Sequence, residues 1–195
     1  KNILQHYETI KQFQGHEEER NEYLSWFANL PVFLETDGIR VVHACWDDNN
    51  VEYLKTIEWP ITKEILLVAH KKGTDTWRAF DETLKGREIG LPDGLGFEDK
   101  DGHIRKEARI RWWMNTSELK LEEYLFNTPA TIRHQSVPME LQQKGSASSE
   151  PPVFFGHYWL KPENGPQLMA SNVCCLDYSV AKGGLLVAYR HDIGE

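Results

Sequence analysis

Two histidines, each at the end of an apolar segment, are the residues most able to do chemistry in this sequence. His43 follows segment 39–42, Ile-Arg-Val-Val, and His157 follows segment 153–156, Val-Phe-Phe-Gly. A histidine that ends a buried strand presents its imidazole at a sheet edge, where it can bind a metal ion. A strand-end histidine that only satisfies a backbone carbonyl is the alternative. Two ligands do not complete a dinuclear site, so the other ligands have to be sought elsewhere.

Two arginines and a lysine are the candidate phosphate-binding residues. Arg109 and Arg111 lie in segment 109–113, where basic and large residues alternate as in a strand that carries both arginines on one side. Arginine makes bidentate, charge-assisted contacts with phosphate, although ion pairs with neighbouring acidic residues are an equal alternative. Lys85 precedes the helix-stopping Gly86, and it could instead only interact with the negative end of the helix dipole.

The cysteines and the paired tryptophans favour core roles over chemical ones. Cys45 is expected to be a small buried hydrophobic residue rather than a nucleophile, and Cys174 and Cys175 lie inside a predicted strand. Trp112 and Trp113 could form a wall of a substrate cleft, but a core position for at least one of them is favoured.

Composition limits the classes of protein and partner. The 195 residues suit a single domain, 1–195, and a net charge of -8 argues against nucleic-acid backbones and anionic membranes as partners. No apolar run approaches the length of a membrane span. Three cysteines form neither a disulfide framework nor a zinc-finger spacing, so a reducing cytoplasm is the expected location.

The order of the predicted elements indicates an α+β fold. Residues 1–30 are predicted to be helical, and Asp37-Gly38 predicts a hairpin between strands 32–35 and 39–43. Three helices are predicted between residues 49 and 85, with Thr74 or Thr76 as a possible cap of the last one and Gly86 as its stop. Segment 144–151 is predicted to be a mobile surface loop. Further strands are predicted at 153–156, 172–176 and 185–189.

Several of these segments together carry a family resemblance. They are Leu-Pro-Val-Phe-Leu-Glu at 30–35, Ile-Arg-Val-Val-His-Ala at 39–44, Phe-Gly-His-Tyr-Trp at 155–159, Asn-Val-Cys-Cys-Leu-Asp at 172–177 and Gly-Gly-Leu at 183–185. In this order and spacing the chain resembles the C-terminal part of calcineurin-like metallophosphoesterases, in the bacterial branch related to the Ser/Thr protein phosphatases and the symmetrical diadenosine tetraphosphatases. Segment 84–113 also resembles what bacterial members carry between the two histidines, so the resemblance covers nearly the whole chain.

The resemblance implies a metal-dependent phosphoesterase. Members hydrolyse a phosphomonoester or a nucleotide polyphosphate at a site with two metal ions, Mn, Fe or Zn, and His43 and His157 correspond to ligands of one of them. The implied partners are a phosphorylated small molecule, a nucleotide or a phosphoprotein. The implied fold is a four-layer β-sandwich with flanking helices.

Three motifs of this branch are absent from the sequence. They are Gly-Asp-x-His-Gly, Gly-Asp-x-x-Asp-Arg-Gly and Gly-Asn-His-Glu. The resemblance therefore implies that the N-terminal half of the fold is missing, that no catalytic residue lies within this chain, and that the chain alone is an inactive fragment that does not hold the ions. A non-catalytic binding or structural remnant of the same fold is the alternative. A half-built sheet would expose an apolar face, so a homo-oligomer through that face is also expected.

Overall fold

The structure, a computed structural model, describes residues 2–92, 95–98, 102–161, 163 and 165–191. Among them are six α-helices: α1 Asn2–Gln12, α2 Glu17–Asn29, α3 Asp48–Leu54, α4 Lys63–Ala69, α5 Asp75–Lys85 and α6 Leu121–Tyr124. The strands are β1 Phe33–Thr36, β2 Ile39–Val42, β3 Glu88–Gly90, β4 Phe97–Glu98, β5 Ile104–Arg105, β6 Glu107–Arg109, β7 Val153–Phe155, β8 Leu168–Ala170, β9 Val173–Cys175, β10 Asp177–Tyr178 and β11 Leu185–Leu186. The predicted α+β class is confirmed.

A mixed five-stranded sheet carries the two histidines. Its strand order is β1-β2-β7-β9-β8, and the three central strands β2, β7 and β9 run parallel. The predicted hairpin between β1 and β2 is confirmed, with positive φ angles of 46° at Asp37 and 74° at Gly38. Because parallel neighbours end at the same sheet edge, the residues that follow β2 and β7 lie side by side.

One face of this sheet forms the main core. Alternate residues such as Val42, Phe155 and Cys175 point to that face and pack with the buried Trp112 and Trp113. The expected core positions of the cysteines and of at least one tryptophan are confirmed, and both Trp112 and Trp113 are buried. The other strands of the described residues form three two-stranded antiparallel sheets, β3-β6, β4-β5 and β10-β11.

The second face of the sheet is apolar and only partly covered. By register, Phe154 and Cys174 share this face with Leu34 and Leu168. The Tyr189 ring covers Phe154 at a centroid distance of 5.3 Å, whereas Leu34 and Leu168 are exposed. The sheet therefore leaves apolar surface at both ends of this face.

Side-chain caps explain where the three middle helices begin. Asp47 accepts a hydrogen bond from the backbone N–H of Asn50 before α3, and Thr62 and Thr74 accept corresponding bonds before α4 and α5. The predicted Thr74 cap and the stop at Gly86 are confirmed. These helices enclose a second small core around Leu54, Ala79 and Phe80.

The N-terminal helices lie largely exposed. Of the region 1–30 that was predicted to be helical, α1 and α2 are helices, and the non-helical residues 13–16 separate them. No residue of α2 is buried. The exposed apolar side chains of this part are Leu4, Tyr7, Ile10, Tyr23, Leu24, Trp26, Phe27 and Leu30. Within the described ranges, no helix combines the length and the apolar character that crossing a membrane requires.

Two predicted strands are shorter than expected. The prediction of a strand over 109–113 was wrong beyond Arg109, where β6 ends. The chain turns after Arg111, because the N–H of Met114 donates to the Arg111 carbonyl at 3.1 Å. The last predicted strand, 185–189, is reduced to the two residues of β11.

Segment 144–151 is irregular but well connected. The Nδ2 amide of Asn172 donates to Ser146 Oγ at 2.9 Å and to two further carbonyl oxygens of the segment. A Cβ atom on Gly145 would lie 2.4 Å from the Trp113 carbonyl oxygen, so the segment packs closely against the core. These contacts show how the segment packs, and the mobility that its composition predicted stays a prediction.

Candidate metal site

The structure brings the two histidines together at one edge of the sheet. His43 follows β2 directly, His157 lies two residues after β7, and their Nε2 and Nδ1 atoms are 3.2 Å apart. The ring centroids are 5.0 Å apart. The N–H of Gly156 donates to the His43 carbonyl at 3.0 Å, which ties the two strand ends to each other.

The backbone around His43 is fixed by the core. The N–H groups of Ala44 and Cys45 both donate to the Thr83 carbonyl of α5, at 3.0 and 3.3 Å. The Trp112 indole donates to the Ala44 carbonyl at 3.1 Å in a buried position. The first residues after β2 are therefore held by α5 and by the main core, and the His43 side chain projects from an anchored turn.

The backbone around His157 is strained. His157 and Trp159 have positive φ angles of 69° and 50°, a conformation that non-glycine residues rarely adopt. Asp177 holds this turn, because its carboxylate accepts a bond from the Trp159 N–H at 3.3 Å and its carbonyl accepts one from the Leu160 N–H at 2.9 Å. Residues held in such conformations cost roughly 1–3 kcal/mol each and cluster at functional sites.

The distance between the two ring nitrogens suits a shared metal ion. Two nitrogens that lie about 2.1 Å from one ion, at roughly 90–109° to each other, are about 3.0–3.4 Å apart. The observed 3.2 Å falls within that interval. It also suits a hydrogen bond in which one imidazole donates and the other accepts. Among the described residues, no group of three or more His, Cys, Asp or Glu side chains could hold a metal ion.

The environment of His157 keeps its imidazole neutral. Burial lowers the pKa of His157 to about 4, and the positive charges of Arg109, His43 and Lys85 act in the same direction, against the opposing charge of Asp177. A histidine must be deprotonated at the ligating nitrogen to bind a metal ion. At neutral pH, His157 is therefore already in the protonation state that metal binding needs.

Two of the three candidate phosphate-binding residues lie near the histidines. Arg109 pairs with Glu88, with Nη2 3.2 Å from Oε1, and its guanidinium lies 5.5 Å from the centroid of the Tyr158 ring. Lys85 forms an ion pair with Asp81. The positive charges of Arg109 and Lys85 both lower the pKa of His157.

Arg111 serves a different purpose in the structure. Its Nη1 atom donates to the carbonyl oxygens of Glu122, Glu123 and Leu125, at 3.2, 2.7 and 2.6 Å. Burial lowers the pKa of its guanidinium. Arg111 thus caps the C-terminal end of α6, and the two arginines do not share the single side that a continuous strand would have given them.

Two residues of the site were not found from the sequence. Tyr158 is 9% exposed, and its hydroxyl has no hydrogen-bond partner among the described residues. Asp177 follows β9, the parallel neighbour of β7, so the argument that linked the two histidines would also have placed Asp177 at this sheet edge. The signal was therefore present, but the pairing of β7 with β9 was needed to use it.

No protein-family model, curated protein or solved structure matches this chain. The support for a functional assignment is therefore the sequence motifs and the geometry of the histidine pair.

Proposed function

We propose that this chain is part of a metal-dependent phosphoesterase, in which His43 and His157 are two ligands of one ion of a two-metal centre. The substrate is a phosphomonoester or a nucleotide polyphosphate. The observation that carries the proposal is the 3.2 Å contact between two imidazole nitrogens at the ends of adjacent parallel strands. Both histidines lie in the segments that resemble the metallophosphoesterases.

The surroundings of the pair support a metal-ligand role. The neutral state of His157 and the strained turn that presents it are both expected of a ligand. Mn, Fe or Zn ions, when bound, would supply Lewis-acid activation of the phosphate ester and of water. Arg109 and Lys85 would supply positive charge to the phosphate beside them.

Two imidazoles without carboxylate ligands bind divalent ions weakly. We therefore propose that the remaining ligands and the catalytic groups are contributed from outside these 195 residues, and that this chain alone is inactive. A non-catalytic binding or structural role is the second candidate, because the same 3.2 Å distance suits a plain hydrogen bond between the rings.

Metal binding by the chain itself can be tested with a paramagnetic ion. Mn²⁺ titrated into the 195-residue chain should broaden the ring signals of His43 and His157 before that of His70, an exposed histidine whose Nδ1 lies 2.7 Å from the Leu66 carbonyl. The His43→Ala variant should lose the selective broadening at His157. Broadening at His70 that equals or precedes broadening at the pair would contradict the ligand assignment.

Activity distinguishes the enzyme from the non-catalytic alternative. The 195-residue chain should show no Mn²⁺-stimulated hydrolysis of p-nitrophenyl phosphate, and robust turnover that disappears in His43→Ala would show that the site is complete without further residues. In the product of the complete reading frame, His157→Ala should lower turnover by more than the ~10 to 100-fold typical of residues that only orient a ligand. The control His70→Ala should leave turnover unchanged. Near-normal turnover in His157→Ala would favour the non-catalytic role.

A further inference from the structure

An open cleft lies directly beside His157. Its volume is about 680 Å³, which is within the range of small-molecule sites. His157 itself forms part of the lining, together with residues of the β3/β6 and β4/β5 hairpins and of segment 157–161. A group bound in this cleft would therefore lie next to the proposed metal ligand.

The cleft has aromatic walls. Phe97, Phe126, Tyr158 and Trp159 all line it. The ring centroids of Phe126 and Tyr158 lie 4.9 Å apart at an interplanar angle of 38°, and Tyr158 is buried, so these rings pack together in one wall. Trp159 is 50% exposed at the rim, on the turn that Asp177 holds. Flat aromatic surfaces favour a planar ring as the bound group.

The charges of the cleft are balanced. Three carboxylates and three cationic groups line it, and Glu88 already lies 3.7 Å from Arg105 and 3.2 Å from Arg109. A highly charged polyphosphate would meet the carboxylates as well as the arginines, whereas a single phosphate requires less positive charge. The amide of Asn127, also in the lining, can both donate and accept hydrogen bonds, as the edge of a heteroaromatic ring requires.

We propose that this cleft binds the planar aromatic ring of a phosphate monoester whose phosphate lies against His157. The assignment of the phosphate as the reacting group rests on the function proposed above, but binding of the ring does not depend on metal ions or turnover. A nucleoside monophosphate and a simple aryl phosphate share this chemistry. The volume of the cleft favours the larger of the two.

Binding can be measured on the 195-residue chain in the presence of a chelator. Adenosine monophosphate, phenyl phosphate and ribose 5-phosphate are titrated separately, and dissociation constants are obtained from the broadening of ligand proton signals. Both aromatic esters should bind more tightly than ribose 5-phosphate. Tighter binding of adenosine monophosphate would identify the ring as a nucleobase, and tighter binding of phenyl phosphate would identify it as an aryl group.

Variants test whether the ring stacks on the cleft wall. Trp159→Ala should weaken binding of the aromatic esters by about 5 to 100-fold, in line with the measured range for base stacking on aromatic side chains. Trp159→Phe should retain most of the affinity. Trp26→Ala is the control, because Trp26 is similarly exposed, at 57%, but lies on α2 outside the cleft. The affinity of the Trp26→Ala variant for the aromatic esters should stay within about twofold of that of the unmodified chain.

Three results would overturn the proposal. They are no binding of the aromatic esters at millimolar concentration, equal binding of ribose 5-phosphate and adenosine monophosphate, or equal effects of Trp159→Ala and Trp26→Ala. None of these measurements involves a metal ion or catalysis. If the metal-site proposal is refuted, the ring-binding proposal still holds as long as ring binding is found. If ring binding is not found, the metal-site proposal is unaffected.

Discussion

Replacement of Gly86 by alanine should destabilise the protein by straining the end of α5 and by pressing on the wall of the cleft. Gly86 has φ 84° and ψ 147°, close to a region that is essentially restricted to glycine. A Cβ atom at this position would lie 2.6 Å from the Tyr158 hydroxyl oxygen and 3.1 Å from Arg109 Cδ. The substitution therefore combines a backbone conflict with a side-chain clash.

The two effects can be given separate magnitudes. The backbone conformation costs roughly 1–3 kcal/mol for a residue with a Cβ atom. Overpacking adds about 1–3 kcal/mol, because Tyr158 packs against Trp113, Phe126 and Phe155 and cannot easily move away. The free energy of unfolding should fall by about 2–6 kcal/mol in total, a large part of the stability of a typical domain.

A matched variant and a rescue separate the clash from the strain. Gly73 also has a positive φ, of 91°, but nothing lies within 4 Å of its ideal Cβ position, so Gly73→Ala should be strained without overpacking. Tyr158→Phe removes the clashing hydroxyl, which has no partner among the described residues, and should alone be nearly neutral. Added to Gly86→Ala, it should restore part of the lost stability.

Urea unfolding followed by tryptophan fluorescence gives the free energies for all four variants. The order should be Gly86→Ala least stable, then the double variant, then Gly73→Ala and Tyr158→Phe. If Gly86→Ala unfolds at the same urea concentration as Gly73→Ala, or if Tyr158→Phe brings no recovery, the close contact between the end of α5 and Tyr158 is refuted.

Three further predictions concern the core. Asn172→Ala should lower the free energy of unfolding by about 1–3 kcal/mol and speed amide exchange in segment 144–151, because three hydrogen bonds to that segment are lost; unchanged exchange would contradict this. Trp112→Phe should lower the free energy of unfolding, measured in urea, by at least about 1–3 kcal/mol, because the buried Ala44 carbonyl loses its hydrogen-bond donor. All three thiols are buried, and burial raises their pKa values, that of Cys175 to about 12. The three thiols should therefore react with a disulfide reagent only slowly until urea unfolds the chain. Rapid labelling of the thiols in the folded protein would contradict this prediction.

The parts of the fold that follow from local signals could be predicted from the sequence. Asp37-Gly38 supplies two residues with positive φ, which is a requirement of the turn itself, and Thr74 supplies an oxygen for the first free N–H groups of a helix. Neither signal depends on distant contacts. The strand at 109–113 was mispredicted because Arg111 is drawn to the carbonyl oxygens at the end of α6, a contact that alternation of residue types cannot reveal.

The sequence could predict the candidate site only as far as it could predict where the strands end. His43 and His157 each close an apolar strand, and only the parallel pairing of β2 with β7 decides that they meet. Asp177 was overlooked because the position of β9 beside β7 is a matter of topology, not of composition. Tyr158 was overlooked because its position beside the site depends on tertiary contacts. Its ring packs against Phe126, and its hydroxyl occupies the space that a Cβ atom on residue 86 would need.

The exposed apolar surface and the proposed metal-ligand role of the histidine pair can be considered together. Single domains rarely expose large contiguous apolar patches, yet the apolar side chains of α1 and α2 and both ends of the second sheet face are open to solvent. The histidine pair likewise has two ring nitrogens 3.2 Å apart, and the described residues offer no group of three or more His, Cys, Asp or Glu side chains that could complete a metal site. A second copy of the chain, as in a homo-oligomer, could cover apolar surface. A partner segment that covers the second sheet face and carries carboxylates at the sheet edge would meet both needs, because the histidines lie at the edge of that same sheet.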